Sequence, residues 1–242
     1  MTSSLSRRRL LGAAAAAAGA GLFGPAPAAH AADQPAVDLP AVGQTLAFGV
    51  TTTATTLLVD LPPPLPVLTF TGSWSVEITA TGSDGCTYRT VDLALDARHP
   101  QFGLITLRAP DGEPGTGTLR PQADGGVLDQ WGQPLRITFE RCGREFGPFR
   151  FVSSAPAAWT GTMPAYPPPP PGVNPDGSPT GRTLYRTAGP IRFGLDPDRA
   201  NPPADNCPLT AGPLPQQSAA RADADPEYLE LQGMDCTISR QT

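Results

Sequence analysis

The chain has 242 residues, among them 31 Pro and 26 Gly, and only 16% are charged. Pro and Gly together reach roughly twice their ordinary share, which excludes a coiled coil, a helical bundle and a polytopic membrane protein. All 17 basic residues are Arg, set against 22 acidic ones, and the length allows one or two domains.

Residues 1–31 read as a signal peptide. Arg7, Arg8 and Arg9 form a positive region, an Ala-rich apolar run from Leu10 to Phe23 follows, and Ala29-His30-Ala31 is a small-x-small cleavage site. The apolar run is too short for a comfortable permanent span, so no stable membrane insertion is expected after cleavage. Ser6-Arg7-Arg8-Arg9-Leu10-Leu11 resembles the twin-arginine export signal of bacteria, except that Gly12 replaces a frequent Lys. The resemblance implies export in the folded state and a secreted, extracellular protein. Cleavage after Ala31 leaves 14 Arg against 22 acids, a net charge near −8. That balance opposes nucleic-acid binding, which needs a basic patch to neutralise phosphates.

The exported chain divides into a lead-in (32–44), a β domain (45–155), a Pro-rich spacer or strap (156–182) and a small acidic C-terminal segment (183–242). The segment either adds strands to the β domain or folds as a small lobe of its own. Thr45 to Asp60 is rich in Thr and Val and predicts one or two strands. Pro62, Pro63, Pro64 and Pro66 then force a loop or an edge. Trp74, Val76 and Ile78 alternate with Ser75, Glu77 and Thr79, the period of a half-buried strand. Val91, Leu93 and Leu95 share the next apolar face, opposed by Thr90, Asp92 and Asp96. Leu104–Leu107, Leu135-Ile137-Phe139 and Phe149–Val152 predict three more strands. Asp-Gly pairs at Asp84, Asp111 and Asp124 suit hairpin turns. Pro167–Pro171 favours extended polyproline II. Weaker alternation returns at Ile191, Phe193 and Leu195 and at Leu229 and Leu231. The fold class is therefore mainly β: a disulfide-braced antiparallel sandwich or small barrel.

Four cysteines in an exported chain predict two disulfides. The expected pairs are Cys86–Cys142 and Cys207–Cys236, the first because both residues fall on the polar phase of their strands. There is no Cys-x-x-Cys, and His99 alone remains as a histidine after cleavage, so zinc is not expected. Asp196, Asp198, Asn201, Asp205 and Asn206 form the densest set of oxygen ligands. Their spacing matches no EF-hand, and a solvated acidic loop is expected rather than calcium. No cofactor is called for.

Catalytic candidates are sparse. His99 would have to serve as the base of any Ser-His-Asp site, no Gly-x-Ser-x-Gly elbow is present, and Arg98-His99-Pro100 reads as a surface turn. Glu77 and Glu140 could act as acid and base in glycoside hydrolysis, although acids on the wet face of a sheet are ordinary. Aromatic rings suit recognition because they bury area at small entropic cost. Trp131, in a polar loop context, and Trp159 and Tyr166, flanking the proline run, are the contact candidates, whereas Trp74 has core phase. The leading expectation is a secreted, non-enzymatic binding module for an extracellular protein or polysaccharide. The alternatives are a secreted hydrolase using the carboxylate pair and an inhibitor of an extracellular hydrolase.

Overall fold

Alternating side chains turn more than half of the described residues into strands. The computed structural model describes residues 38–166, 168–177, 179–198, 200–202, 207–214 and 226–241. The expected signal peptide, Asp205 and Asn206 lie outside them. The strands in chain order are β1 (Thr45–Thr52), β2 (Thr55–Leu58), β3 (Val67–Leu68), β4 (Thr71–Gly82), β5 (Gly85–His99) and β6 (Gly103–Arg108). Then come β7 (Thr116–Pro121), β8 (Val127–Gln133), β9 (Arg136–Cys142), β10 (Glu145–Ser153) and β11 (Ala157–Met163). The last are β12 (Gly172–Val173), β13 (Pro179–Thr180), β14 (Thr183–Thr187), β15 (Ile191–Leu195), β16 (Glu227–Gln232) and β17 (Cys236–Arg240).

All but β12 and β13, which pair with each other, belong to one antiparallel sheet of 15 strands. That sheet closes on itself: β5, β4, β1, β17, β14, β11, β8 and β7 follow one another, and β7 pairs back onto β5, forming an eight-stranded barrel. The other strands, β6, β9, β10, β15, β16, β2 and β3, continue from the far half of β5 as a wing, and β3 curls back beside β5.

One residue lets β5 serve both halves. Its first half pairs with β7, from Cys86↔Leu119 to Arg89↔Thr116, and its second half pairs with β6, from Ala94↔Arg108 to His99↔Gly103. Against β4 the register runs Ser75↔Asp92 and then Val76↔Thr90, so Val91 is an extra residue and bulges outward. A bulge adds twist and flips the side-chain phase. As a result Cys86, Tyr88 and Thr90 face the barrel interior, whereas Leu93, Leu95 and Ala97 face a core as well. Val91, expected on the apolar face, is 55% exposed.

This phase change corrects the disulfide pattern. Cys86 is buried rather than on a polar face, and it is a free thiol, as is Cys236. The disulfide joins Cys142, at the end of β9, to Cys207. The expected pairs Cys86–Cys142 and Cys207–Cys236 are not formed. Across a separation of 65 residues, that link stabilises the fold by about 4 kcal/mol in the chain-entropy account.

The expected spacer also begins later than its composition suggests. Ala157–Met163 is β11, a barrel strand between β8 and β14. The C-terminal segment supplies β14 and β17 to the barrel and β15 and β16 to the wing, so it adds strands and forms no lobe of its own. The wing core is aromatic and aliphatic: Phe102, Phe139 and Phe151 meet edge to face at 5.4 and 6.1 Å, among Ile105, Ile137, Phe149, Phe193 and Leu229. Among the described residues no helix is long and apolar enough to cross a membrane.

Candidate functional site

An eight-stranded barrel is just wide enough for side chains to fill it, and here they do. Trp74, Trp131 and Trp159 form a continuous stack with successive ring centroids 4.3 Å apart, flanked by Phe48 at 5.2 Å from Trp74. Trp74 Nε1 donates to Thr90 Oγ1 at 3.2 Å, and Trp159 Nε1 donates to the Met234 carbonyl at 2.9 Å.

Next to this stack lies a buried polar cluster. Asp129 on β8 is 2% exposed. Tyr88 Oη donates to its Oδ1 at 2.6 Å and Tyr185 Oη donates to its Oδ2 at 2.7 Å. The two tyrosines reach it symmetrically. Tyr88 on β5 crosses β7 at Gly117, and Tyr185 on β14 crosses β11 at Gly161. A Cβ at Gly117 would lie 2.1 Å from the Tyr88 ring, and one at Gly161 would lie 2.9 Å from the Tyr185 ring. Only glycine leaves room for each phenol to span the intervening strand. Burial pushes the Asp129 carboxyl up to about 6, against the opposing effect of the two phenol hydrogen bonds. Burial also raises the thiols, Cys86 to about 11 and Cys236 to about 12, with the Asp129 charge adding to both shifts. The thiols are therefore protonated and poor nucleophiles.

With the interior filled, the open chemistry lies on the reverse side of the same strands. A groove of about 650 Å³ crosses the outer faces of β4, β5, β7, β8 and β11. Cross-strand pairing sets two parallel rows along it. One row is Thr87–Thr118–Gln130–Thr160, and the other is Arg89–Thr116–Gly132–Ala158. Gly132 and Ala158 keep the second row low, and an added Cβ at Gly132 would meet only the Thr116 carbonyl at 3.9 Å. Thr79 and Thr87 share a hydroxyl hydrogen bond of 2.9 Å at one end. Arg89 is held by Glu77 at 2.7 Å. Arg120 also lines the groove and makes no ion pair among the described residues. Among the described residues no acidic side chain lines it.

The predicted contact aromatics fall elsewhere. Trp131 and Trp159 are strand residues whose side chains point into the barrel, 3% and 2% exposed. Tyr166 packs partly buried against the core, and burial raises its phenol. Glu77 and Glu140 sit on β4 and β9, and Glu140 accepts the Leu104 N–H at 2.7 Å. Neither lines the groove. His99 ends β5 against Phe102 at 5.2 Å, Nδ1 accepts the Gln101 N–H at 3.3 Å, and burial lowers its pKa. In the described part of the acidic loop, Asp196 is buried rather than solvated, pairs with Arg136 at 3.1 Å and accepts the Asp198 N–H, and Asn201 Oδ1 accepts the Arg150 N–H at 2.6 Å. No group of metal-ligating side chains gathers among the described residues. The sequence reading misses Asp129, Tyr88, Tyr185 and the groove residues. The available signal was the Thr/Gly/Ala phase opposite Trp131 and Trp159.

No protein-family model matches this chain, and no curated protein matches it. Among solved structures, that of DynF from the dynemicin biosynthesis pathway of Micromonospora chersina is similar, with a TM-score of 0.58. Sequence identity is 11%, and the match covers 84% of this chain and 82% of that one. The likeness is one of fold.

Proposed function

We propose that this is an exported, non-enzymatic β-barrel that binds an extracellular carbohydrate chain in the outer groove. The observation that supports the reading most is the groove lining: hydroxyls from Thr79, Thr87, Thr116, Thr118 and Thr160, the Gln130 amide and two guanidiniums, over a Gly132–Ala158 floor. Its volume lies in the range of ligand sites, and its groups both donate and accept, as sugar hydroxyls require. A protein partner is supported less, because protein interfaces centre on apolar and aromatic anchors. The exposed large apolar side chains, such as Phe146, Val67, Val91 and Val173, all lie outside the groove. The signal-peptide features and the disulfide support work beyond the cell membrane.

The test is retention on a panel of insoluble polysaccharides. At least one should retain the protein. Gly132→Val, which raises the floor without touching the interior, should abolish retention at unchanged melting temperature. Retention by none, or full retention of Gly132→Val, would overturn the reading.

A second reading is an enzyme. It draws on the fold shared with a protein of a biosynthesis pathway, and its candidate groups remain Glu77 and Glu140 as acid and base. Glycan hydrolysis that is lost in both Glu77→Gln and Glu140→Gln would favour it over the first.

A further inference from the structure

Charge is distributed unevenly along the groove, and this narrows the ligand. Arg89 is neutralised by Glu77 at 2.7 Å. Arg120 is exposed, two residues along β7 from Thr118, and has no carboxylate partner among the described residues. Apart from Arg120 and the paired Arg89, the groove offers uncharged groups, Thr118, Gln130 and Thr160 in one row and Thr116 with the Gly132–Ala158 floor in the other. Adjacent strands lie roughly 4.8 Å apart, so the stretch from Thr87 to Thr160 spans about 14 Å and suits a few sugar units laid across the strands.

We infer that the bound chain is a polysaccharide in which carboxylate-bearing sugars are separated by neutral ones, with Arg120 holding one carboxylate and the threonine–glutamine rows holding the neutral units. The inference rests on the carbohydrate reading above. A guanidinium matches a carboxylate with two parallel N–H···O bonds and is weakly hydrated, so it gives up little to engage one. A densely charged polymer is disfavoured by the exported chain's own net charge near −8. A single uncompensated arginine beside a neutral hydroxyl surface reads isolated charges.

The test is calorimetric titration of the purified chain with two probes of equal length. One is a hyaluronan hexasaccharide, in which uronate alternates with N-acetylglucosamine. The other is a chitin hexasaccharide, which has the neutral sugar alone. Hyaluronan should bind about tenfold tighter at low salt, the worth of one charge-assisted contact. Arg120→Gln should remove that preference, bringing hyaluronan down about tenfold toward the affinity of the neutral probe. Equal affinity for the two probes, or a preference that survives Arg120→Gln, overturns the carboxylate inference and leaves the carbohydrate reading standing. Binding of neither probe overturns the inference. Loss of binding to every polysaccharide of the panel as well would overturn both.

Discussion

Asp129 shows how one buried acid can be made compatible with a packed barrel. Its two oxygens are taken by Tyr88 and Tyr185, and each phenol has its path cleared by a glycine. The carboxyl is still buried away from solvent, so its pKa rises from 3.8 to about 6. A folded-state value above the unfolded one means that the native protein binds more protons within that window. Stability should therefore fall as pH rises from about 4 through about 6 and then level off, by about 3 kcal/mol in total. This slope is opposite to ordinary acid denaturation. Urea unfolding at pH 4.5 and 6.5 measures it, and Asp129→Asn should flatten it. Tyr88→Phe removes a bond that favours the ionised form, so it should move the titration midpoint upward. The glycines make a graded prediction. Gly117→Ala places a methyl 2.1 Å from the Tyr88 ring, whereas Gly161→Ala places one 2.9 Å from the Tyr185 ring. Both should destabilise, in the overpacking range of about 1–3 kcal/mol, with Gly117→Ala the costlier in thermal melts.

At the level of strands, the deciding feature is the bulge at Val91. It turns the first half of β5 into a barrel strand and the second half into a wing strand, and it sends Cys86 inward, away from Cys142. Thiol labelling checks the outcome directly. The denatured, unreduced protein should take up two equivalents of alkylating agent, at Cys86 and Cys236, and the native protein none. Removing the Cys142–Cys207 link by a double Ser substitution should cost about 4 kcal/mol. The bulge was invisible in the sequence because Thr90 and Asp92 flank Val91 like the polar phase of a regular strand. By contrast, Trp74, Val76 and Ile78, and Leu135, Ile137 and Phe139, declare their faces plainly, and all six are buried. Strands β8 and β11 hid for a different reason. Their inward phases, Val127-Asp129-Trp131-Gln133 and Ala157-Trp159-Gly161-Met163, include an acid, an amide, an alanine and a glycine. The alternation that marks a strand is therefore muted, and the two segments read as a polar loop and a spacer.

For the whole molecule, closure decides where function can lie. The pairing of β7 back onto β5 joins segments that no local pattern connects, so the barrel was legible only as one of two antiparallel alternatives. Once closed, its interior is occupied by the tryptophan stack and the Asp129 cluster, and the recognition aromatics expected from sequence become internal support. Their outward neighbours, Gln130, Gly132, Ala158 and Thr160, form the open surface instead. The account thus assigns stability to the inner face of β8 and β11 and binding to the outer face of the same strands. The most direct measurement sets Gly132→Val beside Trp131→Phe, with melting temperature and polysaccharide retention recorded for both. The account predicts that Gly132→Val loses retention and keeps its melting temperature, whereas Trp131→Phe melts lower and is retained. Loss of retention in Trp131→Phe alone, with Gly132→Val still held, would contradict it.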